Sequence, residues 1–147
     1  MNNICKNIYK NGPTTPQDLK ELSKERLNSL DVLYDNGFYN VVIADAGYPI
    51  ELGLKAAICK HKNLSEYPNN KTYKSHKLND LVELCGLTQD LEEEKTNSDF
   101  YTAWGIISNW NVAIRYRCTG NNASDGAESC IKCLKEGGVF DWIQSKW

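Results

Sequence analysis

Histidine is scarce in this chain: His61 and His76 are the only two in 147 residues. Mechanisms that need several imidazoles are closed, and one that needs a single imidazole has two candidates. Long apolar runs are missing as well. The most apolar region, residues 41–59, contains Asp45, Glu51 and Lys55, too many charges for a membrane-spanning helix. Residues 1–6 carry no apolar core of the length a secretory signal needs, so a soluble cytoplasmic protein is expected. Neither sign of charge dominates. Lys plus Arg number 17 against 19 Asp plus Glu, for a net charge of −2, and no bulk excess compels a nucleic-acid partner. There is no Gly-rich phosphate loop, no Ser-His-Asp order and no zinc-finger spacing. Sustained period-two alternation and internal repeats are also absent, which argues against a sheet.

What is present suits one helical domain. An apolar content of 41%, with four Trp and eight Tyr, opposes disorder. The length fits a single domain, expected over residues 16–147 behind a flexible arm at 1–15. Thr15 followed by Pro16 reads as a helix start, a capping hydroxyl before proline at the first helical position. Leu19, Leu22, Leu27, Leu30, Leu33 and Tyr34 follow at helical spacing up to Asn36-Gly37.

A second helix is expected over residues 38–61. Ile43, Ala46, Ile50, Leu54, Ala57 and Ile58 form its stripe, Gly47 and Gly53 allow close neighbours, and Pro49 predicts a kink. Glu51 and Lys55 form an i, i+4 pair on it. After a polar connection, Ser75 is expected to cap a third helix with His76 in its first turn, ending at Gly86. Residues 90–95 read as charged, solvated surface. A fourth helix is expected from Asn97 or Ser98 to residues 115–117. A fifth is expected from Ser124 to Gly137-Gly138, with a last helical piece ending at Trp147. The fold class that follows is all-α, an up-and-down antiparallel bundle of four to five helices.

Six cysteines, Cys5, Cys59, Cys85, Cys118, Cys130 and Cys133, fall mostly in apolar-periodic segments and read as reduced core residues. Cys130 and Cys133 are the one close pair. With no second pair and no nearby His, no metal is assigned, and no cofactor is implied.

Two stretches carry the chemistry. Residues 55–77 hold six lysines (55, 60, 62, 71, 74 and 77) against the single acid Glu66, a local balance of +5 that leaves −7 for the rest. Such a stretch offers a face to a phosphate-bearing ligand, or is a solvated lysine-rich loop. The second is Arg115. On a continuous fourth helix it lies below Asn111, Ser108 and Trp104, where it borders a groove or pairs with a carboxylate such as Glu51.

Three fragments in order carry a family resemblance. Asp35-Asn36-Gly37-Phe38-Tyr39 runs into Ala46-Gly47-Tyr48-Pro49-Ile50-Glu51-Leu52-Gly53-Leu54-Lys55-Ala56-Ala57. Ser75-His76-Lys77-Leu78-Asn79-Asp80-Leu81 follows, and Trp110 then leads to Arg115-Tyr116. Together they resemble the HEPN superfamily of small α-helical bundle proteins, over residues 19–147. The resemblance implies a homodimer in a prokaryotic toxin–antitoxin or phage-defence setting, with a nucleotidyltransferase or other protein as a possible partner. Many members are metal-independent endoribonucleases that use an Arg followed within a few positions by His. Here Arg115 is followed by Tyr116-Arg117-Cys118-Thr119-Gly120-Asn121, and no His occurs after His76.

The expectation is therefore a non-catalytic protein that binds RNA, a nucleotide or a protein partner. Its expected ligand-binding residues are Glu51, Lys55, Lys74, Lys77, Arg115, Tyr116 and Arg117. The alternatives are an endoribonuclease with a diverged site, using Arg115 and His76, and a structural or antitoxin subunit of a neighbouring enzyme.

Overall fold

The computed structural model describes residues 12–147. Residues 1–11 of the expected arm, with Cys5, lie outside the described residues. Helix α1 (Pro16–Asp35) starts as its sequence predicts. Thr15 Oγ1 accepts from the Asp18 amide, and the Asp18 carboxylate accepts from the Thr15 amide, which satisfies donors that a helix start leaves open.

The expected second helix is two helices, α2 (Tyr39–Asp45) and α3 (Tyr48–His61). The break lies at Ala46-Gly47. A Cβ on Gly47 would lie 1.9 Å from the Trp110 ring, so only glycine admits that indole. Trp110 Nε1 donates to the Ala44 carbonyl at 2.8 Å. Pro49 falls in the first turn of α3, where a missing amide proton leaves no intrahelical bond unmade. It therefore opens a helix instead of kinking one.

Helix α3 lies at the centre. Ile50, Leu54, Ala56, Ala57 and Ile58 are fully buried, and α1, α4 (Leu78–Cys85) and α8 (Val139–Gln144) pack around it. Ser23 of α1 donates to the Pro49 carbonyl at 2.6 Å, and Gly53 leaves room for Ile143.

Helix α4 (Leu78–Cys85) ends at Gly86, whose φ of +75° suits glycine. The stretch expected as solvated surface falls in helix α5 (Thr88–Glu94), where Glu92, Glu93 and Glu94 are exposed and Leu91 is buried. Its Asp90 accepts from Trp142 Nε1 at 2.6 Å and from Lys146 Nζ at 2.7 Å. Helix α6 (Ser98–Ile107) starts on Asn97, whose side chain accepts from the Asp99 and Phe100 amides.

Helices α7 (Ala123–Leu134) and α8 (Val139–Gln144) are separated at Gly137-Gly138, as expected. Phe100, Trp104 and Trp142 form one aromatic cluster between α6 and α8. No strand occurs among the described residues, and no described helix is long and apolar enough to cross a membrane. The all-α bundle stands, with its expected helices cut into shorter pieces.

The cysteines behave largely as core. Cys59, Cys85 and Cys133 are buried, Cys130 is half-buried and Cys118 is exposed. Burial, with the Cys133 thiol beside it, pushes the Cys130 thiol up to about 11, which opposes thiolate chemistry near neutral pH.

Candidate functional site

The residues singled out by sequence fall into two groups that share no hydrogen bond or ion pair.

The first group is built on α3. Glu51 sits in the first turn, and its residue is only 3% exposed. A buried carboxylate needs partners, because leaving water unpaired is unfavourable by several kcal/mol. Glu51 has two on one oxygen: Lys55 Nζ donates to Oε1 at 2.9 Å, and His76 Nδ1 lies 2.5 Å from the same atom. An ionised carboxylate only accepts, so Nδ1 carries the proton of that bond. The ring is left with Nε2 free of any hydrogen bond from a described residue.

His76 reaches Glu51 because the connection before α4 is ordered. The Tyr67 amide donates to Thr14 O, and the Tyr67 hydroxyl donates to Tyr73 O, both at 2.8 Å. The Tyr67 and Tyr73 rings meet edge to face. Burial, followed by the Cys59, Glu51 and Tyr73 side chains, pushes the Tyr67 phenol well above its usual range, so it stays a donor. Ser75 Oγ accepts from the Lys77 amide and donates to Asp80.

His76 thus precedes α4, whose first residue is Leu78, instead of occupying its first turn. The Ser75 bond to the Lys77 amide sets the helix start two residues later than the sequence reading placed it. Lys55 Nζ also lies 5.4 Å from the Tyr67 ring centroid, within cation–π reach. Lys55, Tyr67, Tyr73, Lys74 and His76 line an open cavity of about 750 Å³, with Glu66 on its wall. Lys77 does not line it.

The remaining lysines of the +5 stretch do not form one face. Lys60 donates to the Trp147 carbonyl at 3.3 Å, and Lys62 and Lys71 are exposed away from the cavity. His61, read as surface, is exposed.

The second group is at residues 115–117, and here the helix expectation fails. Helix α6 ends at Ile107. The Asn109 side chain donates to the Gly105 carbonyl at 2.7 Å and so takes a bond that a continuing helix makes with its backbone. Asn111 is extended (φ −145°, ψ 156°), and a 3-10 turn follows over Val112–Tyr116. Delivering the Trp110 indole to Ala44 and Gly47 turns the chain away from the helix axis. The proposed line of Trp104, Ser108, Asn111 and Arg115 therefore does not form; Trp104 is buried in the aromatic cluster.

Arg115, Tyr116 and Arg117 are all exposed, and the Tyr116 residue is 79% exposed. The Arg115 guanidinium lies 5.0 Å from the Tyr116 ring centroid. The Tyr116 hydroxyl and, more weakly, that of Tyr48 hold its pKa above the usual value, so it is a permanent cation. The three residues border a groove of about 390 Å³ whose other wall is α2, with Asn40, Val41 and Asp45. Asn40 Oδ1 accepts from both the amide and the hydroxyl of Thr119 and pins the chain that leaves the groove. Burial raises the Asp45 carboxyl, against the opposing pull of Arg26, which lies 4.0 Å away.

The structure thus unites Glu51, Lys55, Lys74 and His76, and separately Arg115, Tyr116 and Arg117. Glu51 pairs with Lys55 and His76, not with Arg115, and His76 and Arg115 border different cavities. Sequence reasoning missed Tyr67, Tyr73 and Asn40. Tyr67 and Tyr73 sit in a connection with no periodicity to reveal their facing rings. A family model described as HEPN domain matches residues 16–145. No curated protein and no solved structure matches the chain.

Proposed function

The chain belongs to the HEPN family, and from that premise we propose an RNA-binding, non-nucleolytic member that works as a homodimer in a toxin–antitoxin or defence setting. The exposed Arg115, Tyr116 and Arg117 carry this reading. Two permanent cations flank an aromatic ring that is open to solvent. Phosphate contacts with base stacking are the ingredients of single-strand binding. Neither arginine is held by a carboxylate among the described residues, so both are available to phosphates.

The nuclease alternative needs an imidazole beside Arg115, and His76 is committed to Glu51 at the border of another cavity. Phe38 and Val41, exposed at α2 beside the groove, offer apolar surface to a second copy. Pairing there would bring two arginine segments towards one cleft, as the family resemblance implies. A nucleotidyltransferase or other protein partner fits the same setting.

The test is fluorescence anisotropy with a labelled single-stranded RNA, run beside a total-RNA cleavage assay. Wild type is expected to bind without cutting, and Arg115→Ala with Arg117→Ala to lose about tenfold in affinity. Cleavage by wild type that Arg115→Ala abolishes would replace this reading with the endoribonuclease one.

A further inference from the structure

One carboxylate in the Arg115 groove serves the fold poorly. Asp45 is the last residue of α2, where the helix dipole presents partial negative charge and disfavours an acid. Its side chain is only 22% exposed, and burial raises its carboxyl. Its ionic partner Arg26 stands 4.0 Å away, beyond hydrogen-bond length, and is itself half-exposed. No described residue donates a hydrogen bond to Asp45. A carboxylate drawn partly out of water with its acceptor sites open is unfavourable for stability and available to a ligand.

We propose that Asp45 makes the groove selective for guanine in single-stranded RNA. The inference rests on the RNA-binding reading and names the base that the groove takes. Asp45 lines the same groove as Arg115, Tyr116 and Arg117, and its volume of about 390 Å³ admits a nucleobase.

The selectivity follows from donor and acceptor patterns. An ionised carboxylate only accepts, through two oxygens, and the bases of a single strand expose their Watson–Crick edges. Guanine alone has two adjacent donors there, N1–H and the N2 amino group. Adenine and cytosine set one amino group beside an acceptor nitrogen, and uracil sets one N–H between two carbonyls. With any of these three, the second carboxylate oxygen meets a lone pair.

Two neighbours complete the arrangement. Asn40 Oδ1 accepts from the Thr119 amide and hydroxyl, which fixes the orientation of its side-chain amide. Asn40 Nδ2 makes no hydrogen bond with a described residue and is a donor for guanine O6. Arg115 lies over one face of the Tyr116 ring, and the exposed ring has its other face open for stacking. The arginines then take the flanking phosphates.

The experiment is fluorescence anisotropy of the full chain with short oligouridylates that carry one central guanosine, inosine, adenosine or cytidine, beside the all-uridine strand. The guanosine strand is expected to bind about tenfold tighter than the adenosine, cytidine and all-uridine strands. Inosine, which keeps N1–H and lacks the amino group, should fall between. Asp45→Asn should lose most of the preference. The same variant should bind the all-uridine strand at least as tightly as wild type, because a negative charge beside the phosphates is gone. Its melting temperature should be unchanged or higher.

Equal affinities for the guanosine, adenosine and cytidine strands, or a guanosine preference that survives in Asp45→Asn, overturns the proposal. A clearly lower melting temperature in that variant also overturns it, by making Asp45 a structural partner of Arg26. Guanosine 5′-monophosphate that competes as tightly as the guanosine strand overturns it too, by assigning the groove to a free nucleotide. RNA binding without base preference defeats this inference alone, whereas absence of all RNA binding defeats the RNA-binding reading beneath it.

Discussion

The Glu51 neighbourhood and the Arg115 neighbourhood use charge in opposite ways. At Glu51 the carboxylate is buried, and Lys55 and His76 are both bonded to one of its oxygens. At Arg115 the cations stand in solvent, touching an exposed tyrosine ring and no carboxylate. The first arrangement spends charge on holding α3 to the start of α4. The second keeps charge for whatever arrives. Charge density along the sequence would have ranked them the other way, since residues 55–77 carry the +5 and the Arg115 region does not stand out. Availability depends on whether a charge already has a partner, and only the fold shows that.

The largest expected effect tests this directly. Lys55→Met leaves Glu51 buried with His76 as its remaining partner, and breaking a buried pair from one side is destabilising by about 3 kcal/mol. The Lys55 side chain is only 15% exposed, so solvent screens little of that loss. Arg115→Ala, by contrast, should shift stability by less than about 0.5 kcal/mol. Urea unfolding of the two variants checks the contrast, and equal losses would erase it.

Next in size is Gly47→Ala, at the joint between the two neighbourhoods. Its Cβ would collide with the Trp110 ring, which sets both the α2 to α3 break and the path to residues 115–117. A loss of about 1–3 kcal/mol is expected, with a shift in Trp fluorescence. Because Trp110 positions the arginine segment, RNA affinity should fall in the same variant. An unchanged affinity would show that the segment holds its place without that packing.

The two neighbourhoods were unequally legible before the fold was known. Thr15-Pro16, Gly86, Asn97 and Gly137-Gly138 marked helix ends correctly, because capping and positive φ are local chemistry written in one or two residues. The Glu51 to Lys55 pair followed from helical spacing. His76 bonding to Glu51 did not, since it depends on a connection whose course is set by Tyr67 and Tyr73. The end of α6 was hidden for a similar reason. Ile107, Trp110 and Ile114 continue an apolar rhythm that suits a helix, and the extended turn at Asn111 is imposed by where Trp110 must go, 66 residues back along the chain.

A binding measurement sharpens the contrast further. Each phosphate contact on a single strand contributes roughly 0.7 to the slope of log affinity against log salt. Removing Arg115 and Arg117 together should therefore lower the slope of RNA binding by about 1.4, with about a tenfold loss at moderate salt. Lys55→Met should leave the slope unchanged, because its charge is already neutralised by Glu51. A slope that falls equally in both would mean that the phosphate path runs over both neighbourhoods.

The smallest effect lies outside both neighbourhoods and calibrates them. Burial alone would raise the Asp90 carboxyl, but hydrogen bonds from Lys146 and Trp142 and the Lys146 charge outweigh it and leave the group below its usual range. A lowered folded-state pKa contributes stability that is present above the unfolded value of about 3.9. That contribution is lost as pH falls through the folded value. Asp90 is partly exposed, about a third of its side chain, so screening holds the effect to less than about 1 kcal/mol. Asp90→Asn should cost about that much at pH 7 and little once the pH is below the folded value, so the stability profiles of the two proteins converge in acid. Parallel profiles would mean that Asp90 acts through hydrogen bonds alone, which asparagine partly keeps. A partly exposed pair of this kind then sets the scale against which the buried Lys55 result is read.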